Sequence, residues 1–125
     1  MRRMSSGMVF EQRQIFMTNV IFSNGEGSKP RPVLVISNNN HNNSYSELVC
    51  CPITSNEGAE GRIITPGDYE VERKTLPFPQ SVIKTKHMIT VHKSKLNLPK
   101  NGRIKVNKQL VGKVIEDVLE ILKTK

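Results

Sequence analysis

Two short stretches carry residue types suited to holding an anion. The first, Lys29-Pro30-Arg31-Pro32-Val33-Leu34-Val35-Ile36-Ser37, sets an arginine between two prolines, just ahead of a run of branched apolar residues. The second, Pro52-Ile53-Thr54-Ser55, ends another apolar run, Leu48-Val49-Cys50-Cys51. Each proline fixes its own φ and biases its predecessor toward extended backbone, so Arg31 is expected at a stiff strand entry. If the two runs pair as neighbouring strands, Arg31 and Thr54 meet at one end of a sheet. A guanidinium fork beside a hydroxyl is suited to a phosphate. Taken singly, each residue also has an ordinary reading: a surface ion pair for Arg31, a β-branched strand position for Thr54.

The elements that must position this pair are mostly short strands. The chain has 125 residues, enough for one domain with a single core. Aromatics make up 5% and tryptophan is absent, so aliphatic side chains must fill that core. Strand patterns, or a bent hairpin in the first case, fall at 14–22, 33–37, 47–53, 62–65, 81–83 and 88–92. Between them lie a Gly-rich loop at 23–28, an Asn-rich polar loop at 38–44, and turns at 66–68 and 98–102. The stretch from 69 to Pro79 holds Pro77 as well and reads as irregular. Residues 103–106 suit either a short strand or a helix entry. From Asn107, apolar residues recur at Leu110, Val111, Val114, Ile115, Val118, Leu119 and Leu122. That spacing predicts an amphipathic helix over about 107–123, with Asn107 as its N-cap. The pattern is mainly β, a small barrel with a C-terminal helix packed on it. Residues 1–12 read as a flexible tail or a short extra element, and 13–125 as the barrel domain.

Charge and cysteine usage narrow the partners. Nineteen Lys and Arg stand against 11 Asp and Glu, a net charge of +8. Such an excess favours a polyanionic partner, although a generic basic domain has the same composition. Cys50 and Cys51 are adjacent in a predicted strand, so they point to opposite faces and cannot bridge each other. Two thiols with no further pair fit a reducing cytosol. The first eight residues lack the apolar core of a signal peptide, and no run approaches membrane-spanning length. A cytoplasmic protein with no membrane partner is therefore expected. No Cys-x-x-Cys, His-x-x-x-His or carboxylate cluster suggests a metal site, and no cofactor is expected.

In order and spacing, the segments resemble the MazF/PemK (Kid-like) toxins of type II toxin–antitoxin systems, over about residues 13–122. The resemblance rests on the first strand Gln14-Ile15-Phe16-Met17-Thr18-Asn19-Val20 and the loop Ser23-Asn24-Gly25-Glu26-Gly27-Ser28. It continues through Arg31-Pro32-Val33-Leu34-Val35-Ile36, Ile53-Thr54, Ser81-Val82-Ile83, Ile89-Thr90-Val91 and the region from Gly102. Four positions depart from the pattern: Arg13 and Gln14 replace a frequent Gly-acid pair, and Lys86 and His92 stand where members carry acids.

The resemblance implies an SH3-like, CcdB-like barrel and a sequence-specific, metal-independent endoribonuclease that cleaves single-stranded mRNA. Attack by the ribose 2′-hydroxyl on the adjacent phosphorus would leave 2′,3′-cyclic phosphate and 5′-hydroxyl ends. Arg31 and Thr54 become the catalytic residues: the guanidinium stabilises the phosphorane charge and the hydroxyl holds a phosphate oxygen. Ser23, Asn24, Glu26, Lys29, Ser55, Lys86 and His87 become RNA-binding candidates. Glu26 reads either as a base-edge contact or weak base, or as part of a loop tip. His87 and His92, five apart, face opposite sides of a straight strand, and His87 is the better candidate. Lys84, Lys86, Lys93 and Lys95 read either as a track for an RNA backbone or as a solvated strand face. The implied partners are a homodimer mate and a cognate antitoxin with an acidic, flexible segment, with DNA met only through the antitoxin complex. The competing readings are a DNA-gyrase poison on the same barrel and a catalytically silent RNA- or peptide-binding barrel.

Overall fold

The computed structural model describes residues 8–21, 25–56, 58–70, 81–100 and 102–124. Seven strands run in chain order as β1 (Gln14–Ile21), β2 (Ser28–Val35), β3 (Glu47–Thr54), β4 (Arg62–Ile64), β5 (Ser81–Ile83), β6 (Ile89–His92) and β7 (Ile104–Lys105). Two α-helices, α1 (Asn39–Ser44) and α2 (Lys108–Leu122), and two 3-10 turns at Pro66–Asp68 and Lys93–Lys95 complete the described elements. The strands are antiparallel in the order β4-β5-β3-β2-β1-β7, and β6 also pairs with β3.

Strand alternation sorts the apolar side chains onto two faces of the curled sheet. Phe16, Val33, Val35, Leu48, Cys50 and Val91 gather on one face with Phe10 and Leu96. Ile15, Leu34, Cys51, Ile53, Ile83 and Ile104 gather on the other. The first face is wrapped into a small barrel. β6 lies along β3, and the chain after it returns to β1, where Met17 and Asn97 exchange backbone hydrogen bonds of 2.7 and 2.9 Å. The second face is covered by α2, which buries Leu110, Val111, Val114 and Val118 against it. The Asn107 side chain caps α2 by accepting the Leu110 N–H at 2.8 Å. Arg62 of β4 grips Asp117 of α2 through two hydrogen bonds of 2.7 and 3.0 Å. The Arg62 hydrogen bond holds the Asp117 carboxyl below its usual range, so it stays ionised.

One sequence expectation changes, and two open alternatives are decided. The Asn-rich segment folds as the short helix α1. Its amides make local bonds that replace solvent: Asn38 accepts the His41 N–H at 2.8 Å, and buried Asn42 donates to the Ser37 carbonyl at 2.9 Å. Of the two readings for the N-terminal region, residues 8–12 form an extra element packed on the barrel. Phe10 lies 5.2 Å from Phe16 between ring centroids, so the packed domain starts ahead of residue 13. Residues 103–106, left as strand or helix entry, supply the short strand β7 against β1.

The adjacent thiols do split between the two faces, Cys50 in the barrel and Cys51 under α2. Burial pushes the Cys50 thiol up to about 12 and the Cys51 thiol up to about 11. Neither forms a thiolate near neutral pH. Both are expected to resist an aromatic disulfide reagent at pH 8 and to react only after unfolding. Rapid labelling of either in the native protein would contradict this packing.

Candidate active site

Three prolines open the sheet where the candidate residues lie. Ile36 of the β2 extension donates its N–H to Val49 at 2.9 Å, so by alternation the backbone nitrogens at 34, 32 and 30 also face β3. Pro30 and Pro32 have no N–H to give, and the β2–β3 ladder ends at Val33↔Pro52. Pro52 does the same on the other edge of β3. Its register with β6 stops at Cys50↔Ile89, and beyond it β5 takes over at Ile53↔Ile83. The Pro52 carbonyl instead receives the Lys84 N–H at 2.8 Å, which pins the turn between β5 and β6 over the gap. The sheet forks there, and a cleft of about 440 Å³ occupies the fork.

Arg31 and Thr54 both line this cleft. The paired positions Val35↔Cys50, Leu34↔Cys51 and Val33↔Pro52 extend, two places on, to Arg31 against Thr54. Thr18 of β1 faces Arg31 from the other side and donates its hydroxyl to the Lys95 carbonyl at 2.9 Å. All three sit on the barrel-interior face, which is apolar through Phe16, Val33 and Cys50 and turns polar at this mouth. Val20, Asn56, Lys84, His87 and Ile89 also line the cleft.

Several cations of this basic chain are already neutralised. Arg13 meets Glu70 at 2.8 Å, Arg62 meets Asp117, Lys105 meets Glu11 at 2.7 Å, and Lys86 meets Glu60 at 3.2 Å. Arg31 and Lys84 have no such partner among the described residues, and none of the described residues lining the cleft is a carboxylate. Among the described residues the fork therefore gathers positive charge on half-buried side chains, the condition for binding an anion strongly. Thr54 is oriented as well. Its Oγ1 accepts the Asn56 N–H at 3.1 Å, and the Asn56 side chain accepts the Gly58 N–H at 3.0 Å. With that acceptor position used, the hydroxyl proton is directed to a further acceptor.

The other sequence candidates separate. His87 lines the cleft, although it lies in the turn ahead of β6 and not on a strand, so alternation does not govern where it points. Lys86, expected at the RNA, lines a different hollow with Glu60, Arg62, Asp117 and Glu120. There its charge is met by Glu60, because the tight turn carries residues 84 and 86 to different sides. Lys93 lies 5.6 Å from the Phe10 ring centroid and Lys95 borders a third hollow, so the four lysines form no common track. Lys29 pairs with Val20 and is exposed at the rim of the cleft. Glu26 and Ser55 are exposed and lie outside the lining. Ser23 and Asn24 fall outside the described residues. His92 ends β6 and its Nδ1 accepts the Ser94 N–H at 3.1 Å. Asn56 was missed as a site residue, and Lys84 was offered only as one of four lysines on a possible RNA track. The readable signal was Pro52, whose missing N–H marks a break in an otherwise central strand.

The chain is thus a small barrel with a helix on its outer face and a cleft lined by Arg31, Lys84 and Thr54 at its mouth. Residues 11–124 match the PemK-like, MazF-like toxin of type II toxin–antitoxin system, and the chain belongs to that family. Among solved structures, a MazE–MazF complex from Deinococcus radiodurans superposes with a TM-score of 0.67 at 18% identity, covering 94% of this chain and 99% of that one. An endoribonuclease in complex with its cognate antitoxin from a mycobacterial species superposes at 0.63 and 18% identity, covering 91% and 95%. A further endoribonuclease from a mycobacterial species reaches 0.64 at 16% identity, covering 92% of each chain. At this identity the superpositions define the fold. Among proteins of described function, none matches by sequence alone.

Proposed function

We propose that this toxin is a sequence-selective endoribonuclease that cuts single-stranded RNA without a metal and so blocks translation and growth. The observation that carries the reading is Arg31, without an ion pair among the described residues, set against the oriented hydroxyl of Thr54 in an open cationic fork. The nucleophile is already in the substrate. The 2′-hydroxyl attacks the adjacent phosphorus in line, and charge grows on the non-bridging oxygens as the phosphorane forms. Arg31 meets that charge with forked donors, and Thr54 donates to one phosphate oxygen. The products are a 2′,3′-cyclic phosphate and a 5′-hydroxyl. A gyrase poison acts by binding alone and has no use for this phosphate geometry.

The same field suits an acidic, flexible antitoxin segment, which would occupy the fork and compete with RNA. A homodimer, a cytoplasmic location and DNA contact made only through the antitoxin complex complete the reading. It is tested by incubating the purified protein with a long single-stranded RNA and the matching DNA in EDTA. Discrete RNA fragments with intact DNA support the reading, and intact RNA across varied sequences rejects it. Within it, Thr54→Val is expected to slow cleavage about 10- to 100-fold, one charge-assisted hydrogen bond, while Thr54→Ser retains most activity. Equal rates for Val and Ser would remove the hydroxyl from the mechanism.

A further inference from the structure

We infer that His87 is the general acid that protonates the departing 5′-oxygen, an assignment that rests on the ribonuclease reading above. Cleavage needs two proton movements, one off the 2′-hydroxyl and one onto the leaving oxygen. The leaving 5′-alkoxide is strongly basic and departs poorly unless it is protonated. A donor must therefore carry a proton at neutral pH and also release it readily. Arg31 fails the second condition, because a guanidinium holds its proton throughout the accessible range. An ammonium is by its chemistry a poorer proton donor than an imidazolium. Thr54 is already engaged as a donor to the phosphate. Histidine is the side chain whose ordinary charge change falls between pH 5 and 8.

Geometry places the imidazole where such a donor is needed. His87 lines the fork together with Arg31, Pro52 and Thr54. Its backbone N–H donates to the Lys84 carbonyl at 3.1 Å, which fixes the turn that presents it. The ring is exposed into the cleft and has no hydrogen-bond partner among the described residues. Among the described residues, the charged groups that line the cleft with it are Arg31 from β2 and Lys84 from its own turn. The nearby Glu60 is paired with Lys86 in the adjoining hollow. Arg31 and Thr54 thus approach the phosphate from β2 and β3, and His87 approaches from the β5–β6 turn.

In the balanced step, the 2′-oxygen forms its bond to phosphorus and its proton passes to water. The bond from phosphorus to the 5′-oxygen breaks, its electron pair stays on that oxygen, and the imidazolium proton goes to it. His87 leaves the step as neutral imidazole and regains a proton from solvent.

The test first maps a cut site on long RNA. It then compares wild type and His87→Gln on two short oligonucleotides containing that site, one natural and one with sulfur replacing the bridging 5′-oxygen. A thiolate departs without protonation. His87→Gln is expected to slow the natural linkage about 100-fold or more and to cleave the thio linkage within about threefold of wild type. Binding of an oligonucleotide with one deoxyribose at the cut site, measured for both proteins, reports folding and substrate contact separately. Equal activity of variant and wild type, or an equal loss on both linkages with binding retained, overturns the assignment. A wild type that cleaves neither substrate nor the long RNA instead removes the ribonuclease reading, and this assignment with it.

Discussion

Arg31→Ala is expected to reduce RNA cleavage about 1,000-fold or more while leaving the thermal unfolding midpoint within a few degrees of wild type. The size follows from what the guanidinium does. Removing one preorganised donor from an oxyanion site costs about 100- to 1,000-fold, and an arginine meeting phosphoryl charge is worth about 1,000-fold or more. Arg31 is half-buried at the fork with no ion pair among the described residues, so its charge is not already spent on a protein carboxylate. For the same reason its loss removes no structural bridge. Arg31→Lys should restore only a small part of the rate, because an ammonium supplies a point charge and not a fork that spans two oxygens. Single-turnover rates on one mapped oligonucleotide, with unfolding curves beside them, decide the point. An Arg31→Ala protein that cuts within tenfold of wild type would show that the phosphorane is stabilised elsewhere.

The largest expected loss of stability comes from a residue outside the cleft. Gly61 has φ +151°, and a Cβ built on it would stand 1.9 Å from the carbonyl oxygen of Ile83. Both partners are backbone, so neither can swing aside. Gly61→Ala must push β4 away from β5, and we expect it to cost about 3 kcal/mol or more from overpacking and backbone strain together. Two other glycines serve as references. Gly67→Ala meets open space and should be near neutral, and Gly25→Ala, at φ +77° in open space, should cost about 1–2 kcal/mol from strain alone. Urea midpoints at constant slope measure the series. The effect also reaches the site, because Ile83 pairs with Ile53 of β3 and directly precedes Lys84 in the cleft. Gly61→Ala should therefore lose cleavage activity even where it remains folded. A Gly61→Ala midpoint equal to that of Gly67→Ala would contradict the close packing of β4 on β5.

These residues also show how far the sequence could be read. The meeting of Arg31 with Thr54 was legible, because proline stiffness and two apolar runs constrain strand direction and register strongly. The final helix was legible from its repeat, and it runs Lys108–Leu122 with the Asn107 cap in place. The helix α1 was not. Its polar composition reads as solvent-facing loop, whereas its stability comes from side-chain amides bonding backbone a few residues away. The alternate spacing of Lys84 and Lys86 suggests one shared face, which hides that they end on different sides of a turn. Only the fork at Pro52 sorts them, and a fork depends on which edge of β3 each neighbour occupies. That is a tertiary fact, visible in sequence only as one proline in a strand that should be central.

The central claim is that the ribose at the cut site supplies the nucleophile and the fork at Arg31 and Thr54 supplies the charge stabilisation. The most direct measurement uses a DNA oligonucleotide carrying one ribose, placed immediately 5′ of the mapped scissile phosphate, in EDTA. Cleavage at that single position, leaving a 2′,3′-cyclic phosphate and a 5′-hydroxyl, is the predicted result. It should vanish when that sugar is 2′-O-methylated. Cleavage that persists on the methylated sugar, or that leaves a 5′-phosphate, would show that water or another external nucleophile attacks and would contradict the account.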